Sequence, residues 1–473
     1  MSTGKNVVLV IFDSLRKDSV GVYGSPPWGR VETPHLDSLA SESLLLTRVY
    51  PETLPTLPAR VATYTGQRVY PFHNGDFRLK GDFVGAPGWG PIPEEHDTLA
   101  EMLRDRGRYR TGLIADVYHM FKPSKNFWRG FDQWTFLRGQ EGDPQRSGPE
   151  ISDEEIDRWI PHELMSEQRV EFIRQCLKNM RGRLREEDYF NARVLIEAAR
   201  WLEENRDAER FFLCVESFDP HEPWFVPEHY RRMYDDSDGR EQVMSCYDDT
   251  TSWPQELLSR TQANYSGLVT MCDRWFGHLY ETMRTLSLLD NTLLIVTSDH
   301  GHSIGDEGYM GKRGYPSEPA VFDIPLIMRY PDGTGAGQRS GILLQHTDIP
   351  AAILEFAGIE PPQPIEGKPF LKPALEGKGF RAHVTVGWGG AVTVIDNRWW
   401  LNVKIDGTGP FLYDLTAPAP REKNLADGHP DVVHRLFSLA VADAEGGFPD
   451  YLMELAKSEK DAPGCSALAA RPV

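Results

Sequence analysis

Cysteine is scarce in this chain. The five present, Cys176, Cys214, Cys246, Cys272 and Cys465, are odd in number and widely separated along 473 residues. That spacing lacks the close thiol pairs of zinc and redox centres and offers no disulfide framework, so inert thiols in a reducing compartment are predicted. Long apolar runs are missing too. Residues 1–5 pass directly into Asn6-Val7-Val8-Leu9-Val10-Ile11-Phe12-Asp13, with no charged leader region, sustained apolar helix or cleavage site, and this run is too short to cross a bilayer. A cytoplasmic protein without membrane contact is the expectation. Basic charge is in deficit, with 51 Lys and Arg against 70 Asp and Glu and a net charge of -19. A general nucleic-acid surface needs a basic stripe and is excluded on that ground, whereas a small anionic substrate needs only a metal ion and a few local cations. Internal repeats and low-complexity tracts are absent.

What is present reads as a large α/β enzyme, with 40% hydrophobic residues and room for a second packed unit. The β-branched run 7–12 predicts a central strand covered on both faces, with Asp13 at its carboxyl end, where open α/β sheets place their sites. A helix is predicted from Thr33-Pro34, burying Leu36, Leu39 and Ala40. Another begins near Pro58 and puts Thr56 at a helix N-terminus, where backbone N–H groups favour an anion. Asp97 is predicted to cap a helix through Leu99, Met102 and Leu103, which Gly107 stops before a strand over 109–115. A helix over 190–204, a strand over 211–215, a long helix from Tyr265 to Leu279 and a strand over 292–297 continue the alternation. The prediction is a large mostly parallel sheet flanked by helices, spanning residues 1–372. Residues 139–187, charged and poor in strand signals, are read as a partly helical insertion at a pocket rim or a subunit contact. Short strands over 383–386, 391–395, 398–403 and 411–415, with a helix around 432–442, predict a smaller C-terminal antiparallel sheet closed by a helix, over 373–456. Residues 457–473 are read as a tail.

The chemistry concentrates at strand ends. Thr56-Leu57-Pro58-Ala59-Arg60, followed by Val61-Ala62-Thr63-Tyr64-Thr65-Gly66, resembles the Cys/Ser-x-Pro-x-Arg signature of the sulfatase family, in the alkaline phosphatase superfamily, at every position except the nucleophile. The resemblance extends to Phe218-Asp219-Pro220-His221-Glu222-Pro223 and Ser298-Asp299-His300-Gly301, then Gly305-Asp306 and Gly311-Lys312. Asp323-Ile324-Pro325-Leu326-Ile327, His346-Thr347-Asp348-Ile349-Pro350 and Leu412-Tyr413-Asp414-Leu415 complete it, in the family order.

The resemblance implies that Asp13, Asp299 and His300 bind one divalent cation, with Thr56 between this metal and the substrate. Arg60 would hold Thr56 or a non-bridging oxygen, and Lys312 and His221 would bind the transferred group or protonate the leaving oxygen. Three oxygens and one imidazole suit Mn²⁺ or Zn²⁺; family habit suggests Ca²⁺ or Mg²⁺. Departures from the pattern matter as well. Ser14 stands where a second Asp is common. The usual Gly-Lys-Trp-His becomes Ala115-Asp116-Val117-Tyr118-His119, which replaces a Lys and a His by Asp116 and Tyr118, unless a one-residue shift brings in His119. Asn74, Asp116, Tyr118 and His302 are read as substrate contacts. His346, with Asp219 and His221, is a candidate second metal site. Trp89, Trp128 and Trp224 are candidates for the pocket lining.

Threonine cannot be oxidised to the aldehyde of formylglycine, so a metal-activated alkoxide is the simplest chemistry. The leading expectation is a hydrolase of phosphate monoesters, phosphodiesters or phosphonate esters that uses Thr56. A sulfatase with unmodified Thr and a catalytically silent binding protein are the alternatives. The partner expected is a small ester, with no nucleic acid and no membrane, and a homo-oligomer is allowed.

Overall fold

The protein is described by a computed structural model that covers residues 5–73, 82, 84–160, 165–238, 247–417 and 423–458. Among these residues a nine-stranded sheet forms the centre. Asn6–Phe12 lies in its middle, parallel to Phe211–Ser217 on one side and to Thr292–Ser298 on the other. Arg110–Ala115 and then Gln133–Phe136 extend the parallel array outward. On the opposite flank Ile324–Arg329 runs antiparallel to both Thr292–Ser298 and Leu44–Tyr50, and the latter pairs in parallel with Arg339–Ser340 and Leu344–Gln345. The sheet is thus mixed, mostly parallel with one reversed strand.

Both faces are covered, which is why the central strands are continuous apolar runs. Val7, Leu9 and Ile11 face the helices Thr56–Thr65, Leu99–Gly107 and Asp348–Ala357, and Val8, Val10 and Phe12 face Pro34–Ser41, Phe190–Asn205 and Gln255–Thr285. His383–Trp388, Ala391–Asp396, Trp399–Lys404 and Phe411–Asp414 form the expected antiparallel sheet, against which the helix Pro430–Asp443 packs. A further helix, Asp450–Ser458, carries Leu452 and Ala456 into that core and reaches into what the sequence suggests is a tail.

Local details correct three expectations. Thr98, not Asp97, caps the helix Leu99–Gly107. Its hydroxyl accepts from Glu101 N while the Glu101 carboxylate accepts from Thr98 N, the reciprocal box that an Asp one residue earlier cannot make. Gly107 stays helical, and Arg108 takes the left-handed position at φ 56°. Leu44–Tyr50 has no counterpart in the predicted elements, although it carries the reversed pairing. The segment 139–187 is partly helical, with Asp153–Ile156 and Glu167–Met180, and builds a small core of Ile151, Ile156, Ile160, Ile173 and Leu177 against Phe225. No helix among the described residues is long and apolar enough to cross a membrane.

Candidate active site

Because Asn6–Phe12 and Thr292–Ser298 are parallel neighbours in register, with Phe12 opposite Ser298, Asp13 and Asp299 emerge side by side at one sheet edge. Asp13, Asp299 and His300 offer ligand atoms within 4.8 Å of one another, and all three side chains are buried. His300 Nδ1 faces the Gly301 carbonyl at 2.9 Å and donates to it, so Nε2 carries the lone pair and points at Thr56 Oγ1, 3.2 Å away. Asp13 Oδ2 is buried and accepts no hydrogen bond. Burial and the neighbouring Asp299 push the Asp13 carboxyl well up, whereas His300, Arg60 and the Ser14 N–H hold Asp299 below the usual carboxylate range against the effect of burial. Burial lowers His300 to about 3, keeping it neutral. Two carboxylates sharing a buried site with a neutral imidazole, one oxygen held only by an ion pair to Arg60, fit a divalent cation.

Thr56 is the first residue of the helix Thr56–Thr65, so the unpaired N–H groups of the first turn surround it. Arg60, one turn on, turns beneath the cluster. Its Nη1 lies 2.5 Å from Asp299 Oδ2, 3.0 Å from Asp13 Oδ2 and 3.2 Å from the Thr56 carbonyl. Nε and Nη2 lie 3.1 and 3.0 Å from Glu216 Oε2, and Tyr64 donates its hydroxyl to Glu216 Oε1 at 3.0 Å. Arg60 is fully buried and occupied by protein groups, which makes it a positioning residue rather than a substrate contact.

A Lys–His pair lies within electrostatic reach of this cluster. Lys312 Nζ donates to His221 Nε2 at 2.7 Å, and His221 Nδ1 donates to the Glu222 carbonyl at 2.6 Å. Burial first and Lys312 second push the His221 pKa well down. His302, also driven down by burial and then Lys312, stands with Nδ1 3.5 Å from Glu222 Oε2 and its ring against Trp224 and Tyr247. The structure brings Asp13, Thr56, Asp299 and His300 into one cluster, with Lys312 and His221 within electrostatic reach of it and His302 beside the His221 ring.

Other expected contacts lie elsewhere. Asp116 is fully buried with both oxygens taken by Phe218 N at 2.6 Å and Gln140 Nε2 at 3.0 Å. The same amide nitrogen reaches Asp219 Oδ1 at 3.0 Å, so Asp116 belongs to an internal carboxyl pair and not to the substrate surface. Burial raises Asp116 to about 8 and Asp219 to about 6. Tyr118 is buried in the turn Tyr118–Met120, its ring below Lys122 Nζ. Asn74 lies outside the described residues. His346 faces the Ser298 carbonyl at 3.0 Å and falls outside the grouped metal ligands, as does Asp219, so the two-metal expectation gains nothing from this geometry. Trp224 packs on His302, and Trp89 packs edge-on against His119, whereas Trp128 is 39% exposed.

Sequence reasoning missed Glu216, Tyr64, Glu222, Arg16 and Glu141. The signal for Glu216 was a carboxylate inside a fully buried strand, Phe211–Ser217, which demands a buried cation. Arg16 pairs with Asp18 and Asp306 and donates to the His302 carbonyl, tying the loop after Asp13 to the loop after Asp299. Glu141, from the insertion, meets His119 Nε2 at 3.0 Å.

The family described as Sulfatase matches residues 5–359. The chain is 25% identical over 420 residues to the multifunctional alkaline phosphatase superfamily protein PehA of Trinickia caryophylli, covering 80% of this chain and 78% of that protein. It is 22% identical over 450 residues to N-acetylglucosamine-6-O-sulfatase of Bacteroides thetaiotaomicron, covering 79% and 71%. Its fold superposes on the phosphonate monoester hydrolase of Agrobacterium radiobacter with a TM-score of 0.71 at 22% identity, covering 93% of this chain and 95% of that one. With the family match running through the metal-ligand cluster, the Thr56 helix and the Lys312–His221 pair, this chain belongs to the sulfatase family, whose members are metal-dependent ester hydrolases.

Proposed function

We propose that the protein hydrolyses phosphorus esters carrying one negative charge, a phosphonate monoester or a phosphodiester, through the Thr56 hydroxyl. The observation that carries this reading is the placing of Thr56 Oγ1 at a helix N-terminus, 3.2 Å from His300 Nε2 in the Asp13–Asp299–His300 cluster. A divalent metal, which Asp13, Asp299 and His300 would hold, would supply Lewis acidity and lower the pKa of the Thr56 hydroxyl. Mn²⁺ or Zn²⁺ suits the imidazole among the donors.

Thr56 Oγ1, its proton given up to solvent, attacks phosphorus as the alkoxide and displaces the ester oxygen, giving a phosphorylated Thr56 from which the later hydrolysis releases the alkoxide again. The helix N–H groups and Lys312 meet the non-bridging oxygens. Because His221 Nε2 accepts from Lys312, the proton available to the leaving oxygen is the ammonium proton of Lys312; neutral His221 then takes one from the water that cleaves the Thr56–phosphorus bond and returns it to the Lys312 amine along the same contact. With Arg60 committed to carboxylates, only the dication and Lys312 are assigned to the transferring group, which favours a monoanion over a phosphate monoester dianion. A sulfate ester is also a monoanion and is the second reading; what counts against it is that Thr56 has no aldehyde route for expelling sulfate. The relative named a multifunctional alkaline phosphatase superfamily protein supports breadth at such a site.

The test is initial rate on matched aryl phosphate, phosphodiester, phosphonate and sulfate esters with added Mn²⁺, Zn²⁺, Ca²⁺ or Mg²⁺, run beside Thr56→Ala, with intact mass after a rapid quench. Thr56-dependent turnover of diester or phosphonate and a phosphorylated Thr56 adduct are expected. Sulfate preference would reinstate the sulfatase, and turnover unaffected by Thr56→Ala would refute the nucleophile.

A further inference from the structure

Asp13, Asp299, Glu216 and Arg60 form one contiguous buried charge set, with the first, third and fourth fully buried and Asp299 2% exposed. Ser14 brings no charge to it and donates its hydroxyl to Asp13 Oδ1 at 2.9 Å. Three carboxylates against one guanidinium leave a formal charge of two negatives. A neutral His300 adds none. Unbalanced charge in such a place is costly; the Lys312 ammonium offsets part of it from the side, and a divalent cation on Asp13, Asp299 and His300 opposes it directly.

The geometry points to Glu216 as a positioning residue that, through Arg60, sets the metal cluster's charge and shape for a dication. Resting on the metal site proposed above, this adds a residue two contacts removed from the ligands. Glu216 Oε2 engages Arg60 at both Nε and Nη2, while Tyr64 anchors Oε1 from behind. The guanidinium is held from the far side by this grip, so that Nη1 alone is shared among Asp13, Asp299 and the Thr56 carbonyl. With Glu216 neutral, the full guanidinium charge would fall on the two ligand carboxylates and compete with the metal for their oxygens. Arg60 also touches the Thr56 carbonyl, so the same carboxylate governs where the Thr56 turn sits.

The test is calorimetric titration of chelator-stripped protein with Mn²⁺ at pH 7.5, for native protein, Glu216→Gln, Arg60→Met and the double variant. Glu216→Gln is expected to weaken Mn²⁺ binding at least tenfold, and the same change on the Arg60→Met background less than about threefold, because Glu216 reaches the cluster through Arg60. Equal losses on both backgrounds, or native-like affinity in Glu216→Gln, would overturn the role of Glu216. Failure of the native protein itself to bind any divalent ion would instead overturn the metal site. Should Glu216→Gln not fold, Glu216→Asp keeps the charge but withdraws the carboxylate by one methylene. It is expected to weaken binding several-fold, and unchanged affinity there would equally refute the link.

Discussion

Replacing Asp116 by asparagine probes the buried carboxyl pair at the edge of the site. In the folded chain burial raises the Asp116 carboxyl from 3.8 to about 8, whereas in the unfolded chain it ionises near its ordinary value. Between these limits the unfolded state releases a proton that the folded state keeps. The contribution is therefore fully present at low pH and is lost as pH rises toward 8. One proton of difference gives a slope of ~1.4 kcal/mol per pH unit, or ~2.7 kcal/mol between pH 5 and pH 7. At ~2.1 cal/mol/K per residue, a chain of this length unfolds with an entropy of roughly 1 kcal/mol/K, so the effect corresponds to ~3 °C in Tm. The amide introduced by Asp116→Asn keeps an oxygen for Phe218 N and cannot ionise, and any fixed packing cost of the substitution is the same at both pH values. Differential scanning calorimetry of both proteins at pH 5 and pH 7 should show the Tm difference moving by ~3 °C in favour of Asp116→Asn at the higher pH. Parallel Tm curves would refute the protonated pair.

Further outcomes follow from the same contacts. Arg16→Met strands Asp306, whose side chain is 4% exposed, and should cost ~3–5 kcal/mol, read as a Tm fall of a few degrees. An added Cβ at Gly301 would stand 1.9 Å from the Ala320 carbonyl oxygen, so Gly301→Ala should displace the Asp299–His300 turn and weaken Mn²⁺ binding by at least tenfold in the calorimeter; native-like binding would show that the turn yields freely. Lys312 is, after burial, the main cause of the low His221 pKa, so Lys312→Met should raise the pH at which the His221 ring signal titrates by NMR. No movement would place the Lys312 charge elsewhere.

The sheet and most of the cluster are legible in the order of residues alone. Asp13 and Asp299 end β-branched runs that only a doubly covered parallel sheet accommodates, and neighbouring parallel strands bring their carboxyl ends together whatever the loops do. Thr56 stands out because it takes the nucleophile position of a Cys/Ser-x-Pro-x-Arg signature, with Pro58 starting a helix behind it. Which charged side chains turn inward is settled only in three dimensions. Asp116 reads as a surface replacement for a Lys, yet Gln140 of the insertion folds over it and seals it beside Asp219, a meeting of residues 24 and 79 positions from Gln140 that no local pattern encodes. Arg60 and Glu216 are likewise 156 positions apart, and their pairing exists because a helix start and a strand end converge under the same metal cluster. Periodicity reports the burial of an apolar face, summed over many residues; a single buried ion pair leaves no periodic trace, and its partner is fixed only when the chain closes on itself.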